Sequence, residues 1–314
     1  MGRVDKIYQE NLSLIMSQPW EEVKRPVYND GSGVKVKRIL QVCNQYDLRR
    51  EFPLGSLRPL PYKKAINEIL WIHQKRSVDT SKLNSHIWDQ WSDEDGLISG
   101  CYGDMVNRPV ILTKDEDEAK EKGFDTIRFW ESQSKLINES VFRYEQSNEI
   151  MGYGFKNQTD FILWSLKNDK SSRRVISSMF DPVTNGIKPL QECAFQINLS
   201  VKGDELYMTL YQRSLDYCVA GLWNVCQYAA LMTMFAHDAG LKPAVFTHFV
   251  QDMHVYDRHE EQANELIGRS LFGPIPQVTV SSRMDGKGFY DFTEEDFEVW
   301  QYEPKEQIKF EVAK

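Results

Sequence analysis

The chain has little of what marks metal, nucleic-acid or membrane proteins. Its five cysteines, Cys43, Cys101, Cys193, Cys218 and Cys226, make no CxxC pair and no zinc-type spacing, so no metal site is expected. An odd, scattered set suits a reducing compartment, with most of the five as core residues. Positive charge is also short: 38 Lys and Arg against 46 Asp and Glu leave a net charge of −8. That balance argues against a nucleic-acid partner and requires any anionic ligand to be held by local arginines. No signal-peptide pattern heads the sequence and no apolar run approaches membrane-spanning length, so a cytoplasmic protein with no membrane contact is expected. Repeats and low-complexity tracts are absent. The glycines of Asn29-Asp30-Gly31-Ser32-Gly33 form no phosphate loop, because the Val-Lys-Val alternation behind them suggests a strand where a dinucleotide loop needs a helix.

What is present fits a packed enzyme. With 314 residues, 41% of them hydrophobic and 12% aromatic, the chain can bury one large core. Apolar spacing predicts an opening helix over 5–17 and another over 62–75, with Ile66, Ile69, Leu70 and Ile72 as its stripe. Residues 222–239 are apolar throughout and predict a buried central helix. Alternating residues predict a hairpin, 194–199 and 205–213, around Lys202-Gly203-Asp204. A strand over 246–256 and a helix near 260–266 follow. The acidic run 114–118 marks a solvated surface. These elements make one α+β domain, its mixed sheet packed by the long central helix, with roughly 105–158 as an excursion.

The hairpin places Cys193 and Arg213 on adjacent strands. Positive charge beside a thiol favours the thiolate, which is the nucleophilic form. Asp252, His254 and Tyr256 recur at every second position and can face one way.

Taken together, Arg173-Arg174, Cys193, Arg213-Ser214-Leu215-Asp216, Asn224 eight residues later, and Asp252-Met253-His254-Val255-Tyr256 resemble the core of the thymidylate synthase family, which includes the pyrimidine hydroxymethylases. The similarity extends to Glu68-Ile69-Leu70-Trp71, His86-Ile87-Trp88-Asp89-Gln90-Trp91 and Phe289-Tyr290-Asp291-Phe292-Thr293, nearly the whole chain outside 105–158. The resemblance implies a thymidylate synthase-like catalytic domain over 1–314 with an insertion at about 105–158. It implies transfer of one carbon from 5,10-methylenetetrahydrofolate to C5 of deoxyuridylate (dUMP), through a covalent bond from Cys193 to C6.

By the same resemblance, Arg25, Arg173, Arg174, Gln212, Arg213 and Ser214 hold the nucleotide phosphate, with Arg173 and Arg174 reaching across a homodimer. Asn224 reads the uracil edge, and His254 and Tyr256 hold the sugar 3′-hydroxyl. Glu68 moves protons near O4. Trp88, Leu190, Asp216, Ala220 and Gly221 lie on the folate side. Tyr102 stands near C5, with Tyr153 as a second candidate.

Where the pattern departs, the changes gather on the folate side. Gln191 and Glu192 replace two prolines, Val219-Ala220-Gly221-Leu222-Trp223 replaces Leu-Gly-x-Pro-Phe, and the last residue, normally apolar, is Lys314. Weakened folate contacts and an acidic Glu192 favour water over hydride at the last step. The expected product is therefore 5-hydroxymethyl-deoxyuridylate, with reductive methylation to thymidylate as the alternative. Trp88 and Leu190, which shield the site in methylating members, are both present.

Overall fold

The computed structural model describes residues 2–313 apart from 139–140, 183, 187, 189 and 271–272, and the side chains of Arg25 and residues 129–150 lie outside the described set as well. Periodic apolar residues fold the N-terminal part into α1 (Arg3–Met16), followed by β1 (Glu21–Val27), β2 (Gly33–Asp47) and α2 (Tyr62–His73). The expected stripe of α2, Ile66, Ile69, Leu70 and Ile72, is fully buried. Next come α3 (Tyr102–Val106), β3 (Val110–Thr113), α4 (Glu116–Lys122), β4 (Asp125–Asn138) and β5 (Val141–Phe155). The second half runs α5 (Gln158–Asn168), β6 (Val175–Ser178), β7 (Ala194–Lys202), β8 (Glu205–Gln212), β9 (Leu215–Asp216), α6 (Tyr217–Asp238) and β10 (Lys242–Tyr256). It closes with α7 (Glu260–Gly268), β11 (Gln277–Val280) and β12 (Phe297–Trp300).

One mixed sheet of seven strands, β1-β2-β10-β8-β7-β6 with β9 beside β10, forms the frame. β7 and β8 make the predicted hairpin, turned at Gly203, whose φ of +64° is cheap only for glycine. β8 and β10 are parallel, so the chain must cross over between them, and α6 is that crossover. α6 begins five residues before the expected start at 222, because the Asp216 carboxylate accepts the Val219 N–H at 3.2 Å and caps it. By length and composition α6 is apolar enough to cross a membrane, contrary to the expectation from sequence. Here it lies against the sheet, with Leu231, Met234 and Phe235 in the core. Strands β3, β5 and β4, all within 105–158, form a separate three-stranded sheet.

Candidate active site

One cavity of about 290 Å³ collects the chemistry-bearing residues of the second half of the chain. Its lining includes Cys193, Gln212, Ser214, Asp216, Asn224, His254 and Tyr256, together with Glu68, Trp88, Tyr102, Leu190 and Ala220. Among the residues given no role from sequence, Trp91, Trp223, Gln227, Val312 and Ala313 also line it.

Cys193 precedes β7, where a bulge between Ala194 and Gln196 breaks the register with β8 and re-aims the chain. The Arg213 N–H donates to the Cys193 carbonyl at 2.8 Å, which fixes the two residues side by side as the hairpin predicted. The Arg213 guanidinium donates to the carbonyls of Glu192 and Gln191 at 3.0 and 2.8 Å, and its Nη2 lies 3.6 Å from Cys193 Sγ. The electrostatics differ from the expectation of a lowered thiol pKa. Burial pushes the Cys193 thiol up and outweighs the downward pull of Arg213, while Glu192 adds to the rise. Glu192 itself is fully buried and paired with the equally buried Lys188 at 2.8 Å.

Tyr102 accepts a hydrogen bond from the Cys193 N–H at 2.9 Å. Burial raises its phenol well above the ordinary range, so it works as a neutral hydroxyl. Tyr153 belongs to the separate sheet, paired with Thr113 and Thr126, and does not line the cavity.

On the polar wall, Asn224 donates from Nδ2 to Gln227 Oε1 at 3.0 Å and accepts at Oδ1 from Gln212 Nε2 at 3.2 Å. Gln227 Nε2 donates to Glu68 Oε1 at 2.6 Å, and the Trp223 indole donates to the same oxygen at 3.4 Å. Burial raises the Glu68 carboxyl, opposed by Trp88, Gln227 and Trp223. Its Oε2 and the Trp88 indole N–H are buried without a hydrogen-bond partner among the described residues. His254 Nδ1 lies 3.1 Å from Asp252 Oδ1, and Tyr256 packs edge-on to the imidazole at 5.0 Å. Asp252 holds His254 from the side rather than lining the cavity. Burial pushes the Asp216 carboxyl up, with His259 and His254 pulling against it.

Several expected residues lie elsewhere. Gly221 faces the core, where an added Cβ would come within 2.8 Å of the Tyr217 ring and 3.2 Å of Tyr8, so it is packing and not cavity wall. Arg173 and Arg174 are exposed and lie outside the lining of their own chain's cavity. Arg25 is on β1 with its side chain outside the described residues, and Lys314 is also outside them. Gln227 stands three residues after Asn224 on one helix face, a spacing that allows the contact without marking it. Nothing in the sequence marked Val312 and Ala313. The carbonyl of Glu311 beside them sits 2.7 Å from His259 Nε2, which fixes the tail over the cavity.

The residues present suit a pterin-bearing group: two unpartnered buried polar atoms, Glu68 Oε2 and Trp88 Nε1, stand beside an apolar wall of Trp88, Leu190 and Ala220. A chamber with one amide-lined wall and one aromatic wall suits an enzyme that brings two flat ring systems together, and folate-dependent one-carbon transferases form such a class. Comparison with known proteins agrees. The family model described as thymidylate synthase matches residues 6–314. The thymidylate synthase of Streptococcus pneumoniae (strain ATCC 700669 / Spain 23F-1) is 32% identical over 329 residues, covering all of both chains. That of Streptococcus pyogenes serotype M12 (strain MGAS2096) is also 32% identical with complete coverage of both. The solved structure of thermostable thymidylate synthase A from Bacillus subtilis superposes with a TM-score of 0.79 at 27% identity, covering 99% of each chain. The chain belongs to the thymidylate synthase family. It is a C5 one-carbon transferase acting on dUMP, with 5,10-methylenetetrahydrofolate as cosubstrate.

Proposed function

We propose that the protein carries out reductive methylation of dUMP to thymidylate. The observation that carries this reading is the apolar folate side: Trp88, Leu190, Ala220 and Trp223 line one cavity with Cys193, and Val312 and Ala313 from the chain's tail line it as well. Water must be kept from the activated ring carbon for a methyl group to form, and aromatic and aliphatic lining beside it favours that. The names of the relatives point the same way. Hydroxymethylation, expected from sequence, drew on Glu192 and on the altered segment near Ala220. Glu192 is paired with the buried Lys188, which weakens the first argument, and Ala220 lines the cavity as part of its apolar wall.

In this reading Cys193 Sγ adds to C6 of the uracil ring, which makes C5 the nucleophilic carbon. Arg213 steadies the developing thiolate and a phosphate oxygen together, joined by Arg25 and by Ser214 and Gln212 at the strand end. Asn224 pairs with the uracil edge, and His254 and Tyr256 grip the 3′-hydroxyl. Glu68, with one oxygen free and its carboxyl raised by burial, moves protons at O4, and Tyr102 assists removal of the C5 proton. Asp216 anchors the pterin. When bound, methylenetetrahydrofolate supplies the carbon and the hydride.

The active form is a homodimer in which Arg173 and Arg174 serve the partner's phosphate. Support comes from their exposure and from the sheet face opposite α6. There Phe195, Tyr211 and Phe249 form a ladder of rings with centroids 6.5 and 6.1 Å apart, continued by the exposed Phe180 at 6.4 Å. The separate sheet within 105–158 is an insertion in this reading. The test is mass spectrometry of the product from dUMP and methylenetetrahydrofolate, with dihydrofolate absorbance followed in the same tube. A gain of CH₂ with dihydrofolate formed in step is expected. A gain of CH₂O without dihydrofolate overturns methylation in favour of hydroxymethylation.

A further inference from the structure

Asn224 has two N–H donors and two acceptor lone pairs, and the protein engages one of each. Its Nδ2 donates to Gln227 and its Oδ1 accepts from Gln212. Which end of an amide is oxygen follows from its partners. Gln227 Nε2 and the donor-only Trp223 indole both meet Glu68 Oε1, at 2.6 and 3.4 Å, so that oxygen accepts and the Gln227 oxygen must turn to Asn224. At the other end Gln212 Nε2 donates to the Ser214 carbonyl at 3.0 Å, and a carbonyl also only accepts. The Gln212 oxygen faces His248 Nε2 at 2.8 Å. His248 is buried, and burial lowers its pKa to about 3, so it stays neutral and offers one N–H there. Two anchors that cannot donate thus impose a single polarity on three amides.

We propose that Gln227 is a positioning residue that sets base specificity, locking the Asn224 amide so that one N–H and one lone pair face the pocket in the order a 4-oxo, N3–H pyrimidine requires. This deepens the assignment of the pocket to dUMP and rests on it. Turned by 180°, the same amide would match a 4-amino pyrimidine with a bare N3. In the native array that turn sets oxygen against the Gln227 oxygen and N–H against the Gln212 N–H. Gln227 is fully buried on α6 and has no other polar contact to the protein among the described residues.

The experiment is titration calorimetry of the full-length protein with dUMP and with dCMP, comparing wild type, Gln227→Met and Gln227→Glu. Methionine keeps the length and removes both hydrogen bonds. Glutamate, sharing a proton with Glu68, still donates to it and accepts from Asn224. Gln227→Met is expected to lower the dUMP:dCMP affinity ratio about tenfold, mainly by tightening dCMP, while Gln227→Glu keeps the ratio within about twofold of wild type. A wild type selective for dUMP whose ratio is unchanged by Gln227→Met overturns the proposal alone. A wild type that binds neither nucleotide overturns the dUMP assignment and the proposal with it. Should the methionine variant not fold, neutron diffraction of wild-type crystals decides: deuterons on the Asn224 atom facing Gln227 are expected, and a bare oxygen there overturns the lock.

Discussion

Burial withdraws water from the Cys193 thiol and pushes it above the ordinary cysteine range, Arg213 pulls it down, and Glu192 pushes it up again. A thiol in that balance is mostly protonated at neutral pH before nucleotide arrives. Its labelling by iodoacetamide should therefore rise steeply with pH and still be rising above pH 9, the ordinary value. Arg213→Ala should slow labelling at every pH below the plateau, because it removes the downward pull. Peptide-resolved mass spectrometry separates Cys193 from the exposed Cys43. A Cys193 rate that levels off by pH 7 would show a thiolate already formed. At this scale the cavity brings together Cys193, Asn224, His254 and Tyr256, which the resemblance to the family had singled out, and sets Arg213 beside Cys193 as the hairpin pattern predicted. Gln227 was not legible in its role, because a lone glutamine in a helix resembles any other until Glu68, 159 positions away, is seen to meet it.

Among the elements, the segment leading into β7 carries the least expected energetics. Lys and Glu are mostly exposed types, yet the side chains of Lys188 and Glu192 are buried against each other next to the nucleophile. Removing one partner from such a pair leaves a bare buried charge, at a cost of about 3–5 kcal/mol, whereas replacing both is near neutral. Lys188→Met should thus lower stability to urea by that amount, and Lys188→Met with Glu192→Gln should recover most of it. Equal stability of the single variant and wild type would mean that the pair opens to water in solution. The β7–β8 hairpin and the stripe of α2 were readable because period-2 and period-3.6 patterns report directly on which face is buried. The start of α6 was misplaced because capping depends on one carboxylate and not on the apolar run. Pairing of β4 with β5 joins consecutive strands, but pairing of β3 with β5 across β4 is a non-local choice that a pattern along the chain does not encode.

At the scale of the whole molecule, Arg173 and Arg174 lie outside the lining of their own chain's cavity, and the proposed homodimer would bring them to the partner's. If Arg173 and Arg174 act in trans, inactive Arg174→Ala and inactive Cys193→Ala chains should complement each other. Random exchange gives half heterodimers, each with one whole site, so recovery approaches about a quarter of wild-type activity. Confirmed subunit exchange with no recovery would place the arginines in their own chain's site.

The row of amides from Glu68 through Gln227 and Asn224 to Gln212 separates two properties that usually move together. In the proposed complex the phosphate is held by exposed cations, whose attraction fades as ionic strength rises, whereas the base is read by uncharged amides that mobile ions do not screen. Raising salt from about 0.05 to 0.5 M should therefore loosen dUMP and dCMP by the same factor, leaving the choice between them untouched. A ratio that collapsed with salt would mean the base is chosen by charge. The enzyme can thus meet a changing ionic medium with a changing grip but a constant judgement of which pyrimidine it holds.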